Sequence, residues 1–211
     1  NKSSINSVKN SFKTNKVFKR DSLIDLPNTG WTIIRPGDGL ELMFKCGHSG
    51  PKHLPAHSQS DLLSFDLYYK GKAILLESGT SIYEKSKERS YERSGAAHNI
   101  IQLAPIYKNS SNKNLNWIEP IEVWDSFRAG RKAVPIKRNS GKSKNGSFWI
   151  EGEHDAYRRF EASHQRKIKL IPNKPDSWIF IVTDRVLVKR PMMWRQWWHL
   201  GEHQSEDILY N

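Results

Sequence analysis

The sequence predicts an all-β fold, an antiparallel two-sheet β-sandwich, preceded by a flexible basic arm. Short runs rich in Val, Ile, Phe, Tyr and Trp recur along the 211 residues. Turn-forming segments such as "PNTG", "RPGDG", "YKGK" and "PNKPDS" separate these runs. Many short strands joined by frequent turns are typical of a sandwich or a barrel. No long stretch carries a convincing helical period, so we expect little helix.

The predicted elements follow in chain order. Residues 1–25 are rich in Ser, Asn and Lys and predict an arm or linker, whereas 26–211 predict the sandwich domain. The predicted strands are "WTIIR", "LELMFKC", "LLSFDLYY", "AILLES", "NIIQLAP", "IEVWDSF", "GSFWIEGEH", "RKIKLIP" and "WIFIVTDRVLV". The segment "SKERSYERS" predicts a short turn of helix, and "KRNSGKSKNG" is interpreted as a mobile basic loop.

The composition limits the possible partners. A formal net charge of +12 favours polyanions, namely nucleic acid, an anionic membrane surface or an acidic polysaccharide. The single cysteine, Cys46, excludes a disulfide framework and a multi-cysteine zinc site. No apolar run approaches the roughly 20 residues of a membrane-spanning helix. We therefore expect no membrane partner.

Polar residues lead into one apolar strand face in the segment "PAHSQSDLLSFDLYYKGKAILLESG". Side chains two positions apart share a face of a continuous strand. His57, Gln59 and Asp61 would therefore share the face of Leu63 and Phe65. Polar groups on such a face need partners, because an unpaired buried polar group is costly.

The following turn decides which acidic residue joins these groups. A three-residue loop at 69–71 would pair Phe65 with Leu75 and Leu63 with Glu77, on the face of the polar groups. A two-residue turn would place Glu77 on the opposite face. We prefer the first register because it gathers the polar groups.

The gathered groups have two interpretations. His98, in "GAAHN", begins the next strand and could join Gln59, Asp61 and Glu77. Carboxylate, amide and imidazole ligands together could hold a divalent ion of several kinds. The alternative is a hydrogen-bonded polar rim at a sheet edge, since the spacing matches no standard metal motif.

A family resemblance covers about residues 26–203. The block "GHSGPKHLPAHSQSDLLSFDLYYKGKAILLESGTSIY", followed by "RSGAAHNIIQL", resembles the C-terminal β-sandwich domain of heparinase II/III-like polysaccharide lyases. "LPNTGWTIIRPGDGLELMFKCG" upstream and "FWIEGEHDAYRRF", "SHQRKIKLI", "WIFIVTDRVL" and "QWWHLGEH" downstream resemble its other strands. The resemblance implies an N-terminal α/α-toroid domain of the same protein as a partner.

The resemblance implies roles for four residues of the central block. His57 is expected to face the substrate cleft and take part in catalysis, while Gln59, Glu77 and His98 hold a structural divalent metal. Gln59 indicates the heparinase III-like variant of the metal site. Oxygen-rich ligation favours calcium, and zinc stays open. Glu77 stands where Asp is more usual in the family, and its side chain is one methylene longer.

Further residues are candidates for substrate binding or for supporting the site. The loop before the block should rim the cleft with His48 and His53. Asp61, Arg93 and Asn99 are interpreted as cleft-edge groups or as groups that orient the metal ligands.

The implied reaction is β-elimination at a uronic acid, in a heparin-, heparan sulfate- or alginate-like glycosaminoglycan or polysaccharide. An imidazole is a suitable base for the proton at C5. In the family, a Tyr and an Asn from the toroid complete the site, and we expect the isolated chain to be inactive or nearly so. Tyr83, Tyr91 and Tyr107 are candidates for a substitute tyrosine, although a structural role is the simpler interpretation of each. The resemblance also implies a periplasmic or secreted protein.

Two other functions stay open. The first is a non-catalytic domain that binds acidic polysaccharide. The second is a nucleic-acid-binding β domain, which we favour less because the basic residues are spread over arm, loops and strands instead of forming one stripe.

Overall fold

Two antiparallel sheets form the body of the molecule in a computed structural model, which describes residues 22–37, 39–51, 53–107, 115–174 and 177–201. The first sheet has the order β1-β2-β3-β4-β5, with β1 at Ser22–Leu26, β2 at Trp31–Gly37, β3 at Leu40–Lys45, β4 at Phe65–Tyr69 and β5 at Lys72–Leu75. The second has the order β12-β11-β10-β9, with β9 at Pro135–Lys142, β10 at Phe148–His154, β11 at Ala162–Lys174 and β12 at Ser177–Val188.

Smaller elements complete the described fold. Two two-stranded ladders pair β6 (Ile101–Pro105) with β13 (Met192–Gln196), and β7 (Ile121–Val123) with β8 (Ala129–Lys132). Helix α1 spans Lys87–Arg93, and 3-10 turns lie at Pro55–His57, Gly95–Ala97 and Arg158–Phe160. No described helix has the length and apolar character needed to cross a bilayer.

The main core lies between the two sheets. Alternating side chains of β2, β3 and β4, such as Ile34, Leu42 and Phe65, pack in one buried cluster with Phe148 and Ile150 of β10. This alternation of buried and half-buried positions follows from the period of two of a strand. The predicted sandwich class is therefore confirmed.

The predicted strands all overlap observed ones, but four strands were missed. The sequence did not predict β1, β8, β9 or β13. The basic segment 137–146, predicted to be a mobile loop, instead forms most of β9 and its turn into β10. Its polar side chains lie on an edge strand, where exposed polar residues are tolerated. Residues 22–25, predicted as part of the arm, lie in β1 and pair with β2; the remaining residues of that arm lie outside the described part. The short helix predicted at 86–94 is present as α1.

The predicted three-residue turn between β4 and β5 is wrong, but the prediction of which sheet face the residues after it share is correct. Tyr69 pairs with Lys72, so the turn has two residues, Lys70 and Gly71, both with positive φ. An irregularity then shifts the register, and Leu67 pairs with Leu75. The shift restores the parity that the two-residue turn had reversed, so the chain after β5 brings Glu77 back toward β4.

Candidate functional site

The turn that carries His57 is held from behind by two buried arginines of α1. Arg93 donates to the carbonyl oxygen of Pro55 at 2.6 Å and to that of Ser58 at 3.0 Å. Arg89 donates to the carbonyl oxygen of Ala56 at 2.9 Å. Arg93 is fully buried, so it supports the turn and does not line a cleft edge. His57 lies in a 3-10 turn at Pro55–His57, before β4 begins at Phe65, so the continuous strand expected from residue 57 is wrong.

His57 itself is exposed and lies against a tyrosine. The rings of His57 and Tyr83 are stacked, with centroids 5.4 Å apart and an interplanar angle of 28°. The Tyr83 hydroxyl lies 3.2 Å from Nε2 of His57. Of the other candidate tyrosines, Tyr91 donates to the carbonyl oxygen of Ala96, 3.3 Å away, and Tyr107 is exposed.

Glu77 and His98 form a pair at the start of β6. Nδ1 of His98, which is fully buried, contacts a carboxylate oxygen of Glu77. Burial by itself would raise the pKa of Glu77, but the hydrogen bond and charge of His98 outweigh it, so the pKa lies below its usual value. Burial would lower the pKa of His98, and the same pairing raises it. The two side chains therefore favour the ion-paired state.

Ser64 and Asn99 complete the hydrogen bonds of the Glu77 carboxylate. The backbone N–H of Asn99 donates to Glu77 at 2.9 Å and the Ser64 hydroxyl donates to the same oxygen. The Asn99 amide donates to the carbonyl oxygen of Phe65 at 2.9 Å and accepts from the N–H of His199 at 2.7 Å. Asn99 thus links β4, β6 and the segment after β13, and it is a buried connector instead of a cleft-edge group.

A buried arginine from the opposite sheet reaches this network. Arg166 of β11 donates to the carbonyl oxygens of Leu63, at 2.8 Å, and Asn99. Its charge is paired with Asp184 of β12, at 2.8 and 3.0 Å, and His164 lies 2.7 Å from the same carboxylate. Leu63 has a φ of 65°, which is rare for a residue with a branched side chain. Arg166 and a bond from the Leu63 N–H to Lys45 stabilise that conformation.

The predicted metal ligands are only partly brought together. Gln59 donates to the Thr80 hydroxyl at 2.8 Å and to the carbonyl oxygen of Gly79 at 3.3 Å, while Glu77 turns to Ser64 and His98. Within the described ranges, no group of three or more His, Cys, Asp or Glu side chains could hold a metal ion. As placed, both oxygens of Glu77 contact protein groups, whereas Nε2 of His98 is buried without a hydrogen-bond partner among the described residues.

The remaining predicted residues are dispersed. Asp61 is buried and pairs with Lys45 at the end of β3. His53 is exposed in the loop before the 3-10 turn. His48 is exposed and lines a cavity together with Pro135 and Arg138.

Sequence reasoning missed Ser64, Arg166 and Asp184. Ser64 has even parity and would point away from the polar face of a continuous strand, but the left-handed Leu63 before it changes that direction. Arg166 and Asp184 lie in strands of typical alternating pattern. A charged residue at an inward position is the one signal that could have drawn attention to them.

A cavity lies beside the site. The loop that carries Phe127, whose ring contacts Tyr83 edge-on at 5.5 Å, also contributes Trp124 and Asp125 to a cavity of about 460 Å³. Trp124 is 65% exposed. An exposed indole beside a concave surface offers a flat apolar face to a ligand.

The protein is therefore an antiparallel β-sandwich that carries an exposed histidine–tyrosine pair and a buried Glu–His pair. The family model described as "Heparinase II/III-like, C-terminal" matches residues 19–207. The chain belongs to this heparinase II/III-like C-terminal family.

Solved structures agree on the fold. A heparinase III with methylated lysines aligns with a TM-score of 0.52 and 16% identity over 80% of this chain and 22% of its own. A second heparinase III structure aligns with a TM-score of 0.52 and 15% identity over 80% of this chain and 23% of its own. The chain thus spans less than a quarter of the length of these structures. No curated protein matches the chain.

Proposed function

We propose that this chain is the C-terminal domain of a polysaccharide lyase that cleaves uronate-containing glycans by β-elimination. The supporting observation is the placement of His57: the ring is exposed, its turn is fixed by two buried arginines, and its Nε2 lies beside a phenol. An accessible, oriented imidazole is suited to accept the C5 proton of a bound uronate. The net charge of +12 suits an acidic glycan.

Elimination needs more than a base. Negative charge builds on the uronate carboxylate in the transition state and requires hydrogen-bond donors aimed at it. We propose that a toroid domain of the same protein supplies these donors, and that the isolated chain binds substrate weakly with little or no turnover. The heparinase III structures are more than four times longer than the part that aligns with this chain. This difference in length supports the proposal of a further domain. Action in the periplasm or outside the cell stays a prediction.

His57→Ala in the full-length protein tests the catalytic role. We expect it to abolish the unsaturated uronate product, measured by absorbance, while glycan affinity changes less than about tenfold. A variant that retained full turnover would contradict the proposal, and a loss confined to affinity would favour the non-catalytic binding domain.

A divalent cation, calcium or zinc, stays a prediction that is independent of His57. Metal analysis of the purified chain and its melting temperature with and without a chelator test it directly. One bound ion per chain and a lower melting temperature after chelation would support it. A metal-free chain that melts at the same temperature in both conditions would contradict it.

A further inference from the structure

We propose that Tyr83 is the catalytic partner of His57, so that this chain carries both the acid and the base of the elimination. The inference rests on the proposed function and extends it to a residue of this chain, distinct from the toroid tyrosine that the resemblance implies. The observation that carries it is the 3.2 Å separation of the Tyr83 hydroxyl and His57 Nε2, both on exposed side chains.

The Tyr83 ring is held in place by groups that are themselves anchored. The guanidinium of Arg89 lies 5.0 Å from the ring centroid, and Phe127 contacts the ring edge-on at 5.5 Å. Arg89 is 2% exposed and is tied to the Thr80 hydroxyl at 2.9 Å. Tyr83 is nevertheless 53% exposed, so its hydroxyl remains accessible to a ligand. A fixed but accessible acid is what general acid catalysis requires.

The chemistry of the two groups decides the direction of their hydrogen bond. A phenol is a strong donor and a weak acceptor, whereas the unprotonated nitrogen of a neutral imidazole is a strong acceptor. We therefore assign the bond as Oη–H of Tyr83 donating to Nε2 of His57. The proton of the neutral His57 ring then lies on Nδ1, which is the less favoured tautomer of an unconstrained histidine.

Proton transfer closes as a cycle within this pair. When the sugar binds, the Tyr83 O–H rotates from Nε2 to the glycosidic O4, which frees the lone pair of Nε2. His57 takes the C5 proton, the C4–O4 bond breaks, the C4–C5 double bond forms, and Tyr83 protonates the departing O4. The imidazolium then returns its proton to the tyrosinate. No other reactant is consumed.

The short separation also selects the substrate. A base and an acid 3.2 Å apart approach two adjacent ring positions from the same side. They suit uronates whose C5–H and C4–O4 bonds lie on the same face, that is, a syn elimination. The C5 epimers, in which these bonds lie on opposite faces, should be poor substrates.

Tyr83→Phe in the full-length protein tests the inference, with Tyr91→Phe as the matched control. Tyr91 is a half-exposed tyrosine of α1 whose hydroxyl contacts only a backbone carbonyl in the described structure. We expect Tyr83→Phe to lower kcat at least about 100-fold, with KM changed less than about threefold, and Tyr91→Phe to leave both near wild type. An active wild type with kcat of Tyr83→Phe within threefold would overturn the inference alone, whereas a wild type inactive on every uronate glycan overturns the proposed function as well.

A second measurement on this chain needs no turnover. The nitrogen-15 shifts of the neutral His57 ring, measured by NMR, report the tautomer. We expect the Nδ1–H form in wild type and in Tyr91→Phe, and a shift toward the Nε2–H form in Tyr83→Phe. Identical His57 shifts in wild type and Tyr83→Phe would show that the hydrogen bond does not exist and would overturn the inference.

Discussion

At the scale of single residues, Glu77 shows how one carboxylate joins several parts of the fold. Its carboxylate contacts His98, Ser64 and the N–H of Asn99 at once. The side chain of Glu77 reaches Nδ1 of His98 directly, while Nε2 of His98 is buried without a hydrogen-bond partner among the described residues. Gln59 contacts Thr80 and Gly79 instead of this pair.

Asp184 is the residue whose loss should affect this network most. Asp184→Asn would leave the fully buried Arg166 without its counter-ion, and breaking such a pair costs about 3–5 kcal/mol. We expect a loss of that size in the free energy of unfolding, measured by urea denaturation.

A surface pair provides the control for Asp184. Glu161 lies 2.7 Å from Arg190, whose side chain is 74% exposed. Glu161→Gln should cost less than about 1 kcal/mol, because exposed pairs contribute little. Equal losses in the two variants would contradict the role assigned to Asp184.

At the scale of elements, local pattern predicted strands well and their connections poorly. The β4–β5 register depended on an irregularity between Leu67 and Tyr68 that no turn residue announces. The edge strand β9 reads as "PIKRNSGK", which resembles a loop because its residues are polar and include glycine. Pairing with β10 makes it a strand, and that pairing is a tertiary property.

Gly152 of β10 has no room for a side chain in the core. A Cβ atom there would lie 2.5 Å from Cδ2 of Leu63 and 2.9 Å from Sγ of Cys46. Gly152→Ala should therefore lower the free energy of unfolding by about 2 kcal/mol, since overpacking a rigid core costs about 1–3 kcal/mol. Thermal or urea denaturation measures the loss.

Gly71, in the β4–β5 turn, separates steric from backbone effects. It has a φ of 77° and open space around its Cα, so Gly71→Ala should cost only about 1 kcal/mol from backbone strain. A Gly152→Ala variant as stable as wild type would show that the sheets can separate locally to admit a methyl group.

At the scale of the whole molecule, buried histidines should make the fold sensitive to mild acid. Burial, and then the neighbouring His164, lowers the pKa of His154 well below its usual value. Burial also lowers the pKa of His164, although the hydrogen bond that His164 donates to Asp184 opposes this effect. Arg166 and Arg131 add repulsion toward protonated His154. At His154 and His164, the unfolded chain therefore binds more protons than the folded chain below about pH 6.5, so these two residues lower the stability as the pH falls. The raised pKa of His98 acts in the opposite direction.

His154→Gln isolates this contribution. Its amide oxygen can still accept the N–H of Ala156, which His154 accepts at 3.3 Å. Urea denaturation from pH 7 to 5 should show a shallower fall for the variant, by up to about 1.4 kcal/mol per pH unit. Parallel curves for variant and wild type would mean that His154 binds its proton equally well in the folded and the unfolded chain.

The contribution of Asp184 to stability should be lost only in stronger acid. Burial by itself would raise its pKa, but His164 and Arg166 lower it to about 2. Its contribution is present above the ordinary Asp pKa near 3.8 and is lost as the pH falls toward 2. The histidine and aspartate effects therefore occupy separate pH ranges.

The sequence by itself determined the sandwich class and the segments that bring Glu77 and His98 into play. Both depend on short-range information, namely the alternation of buried and exposed residues in strands, the turn residues and one distinctive sequence motif. Only the tertiary structure decided which polar groups meet: Ser64 instead of Gln59 at Glu77, Tyr83 at His57, and Arg166 at Leu63 and Asn99. Hydrogen-bond partners are chosen by packing between residues distant in the chain. One left-handed residue, Leu63, is enough to redirect the side chains that follow it.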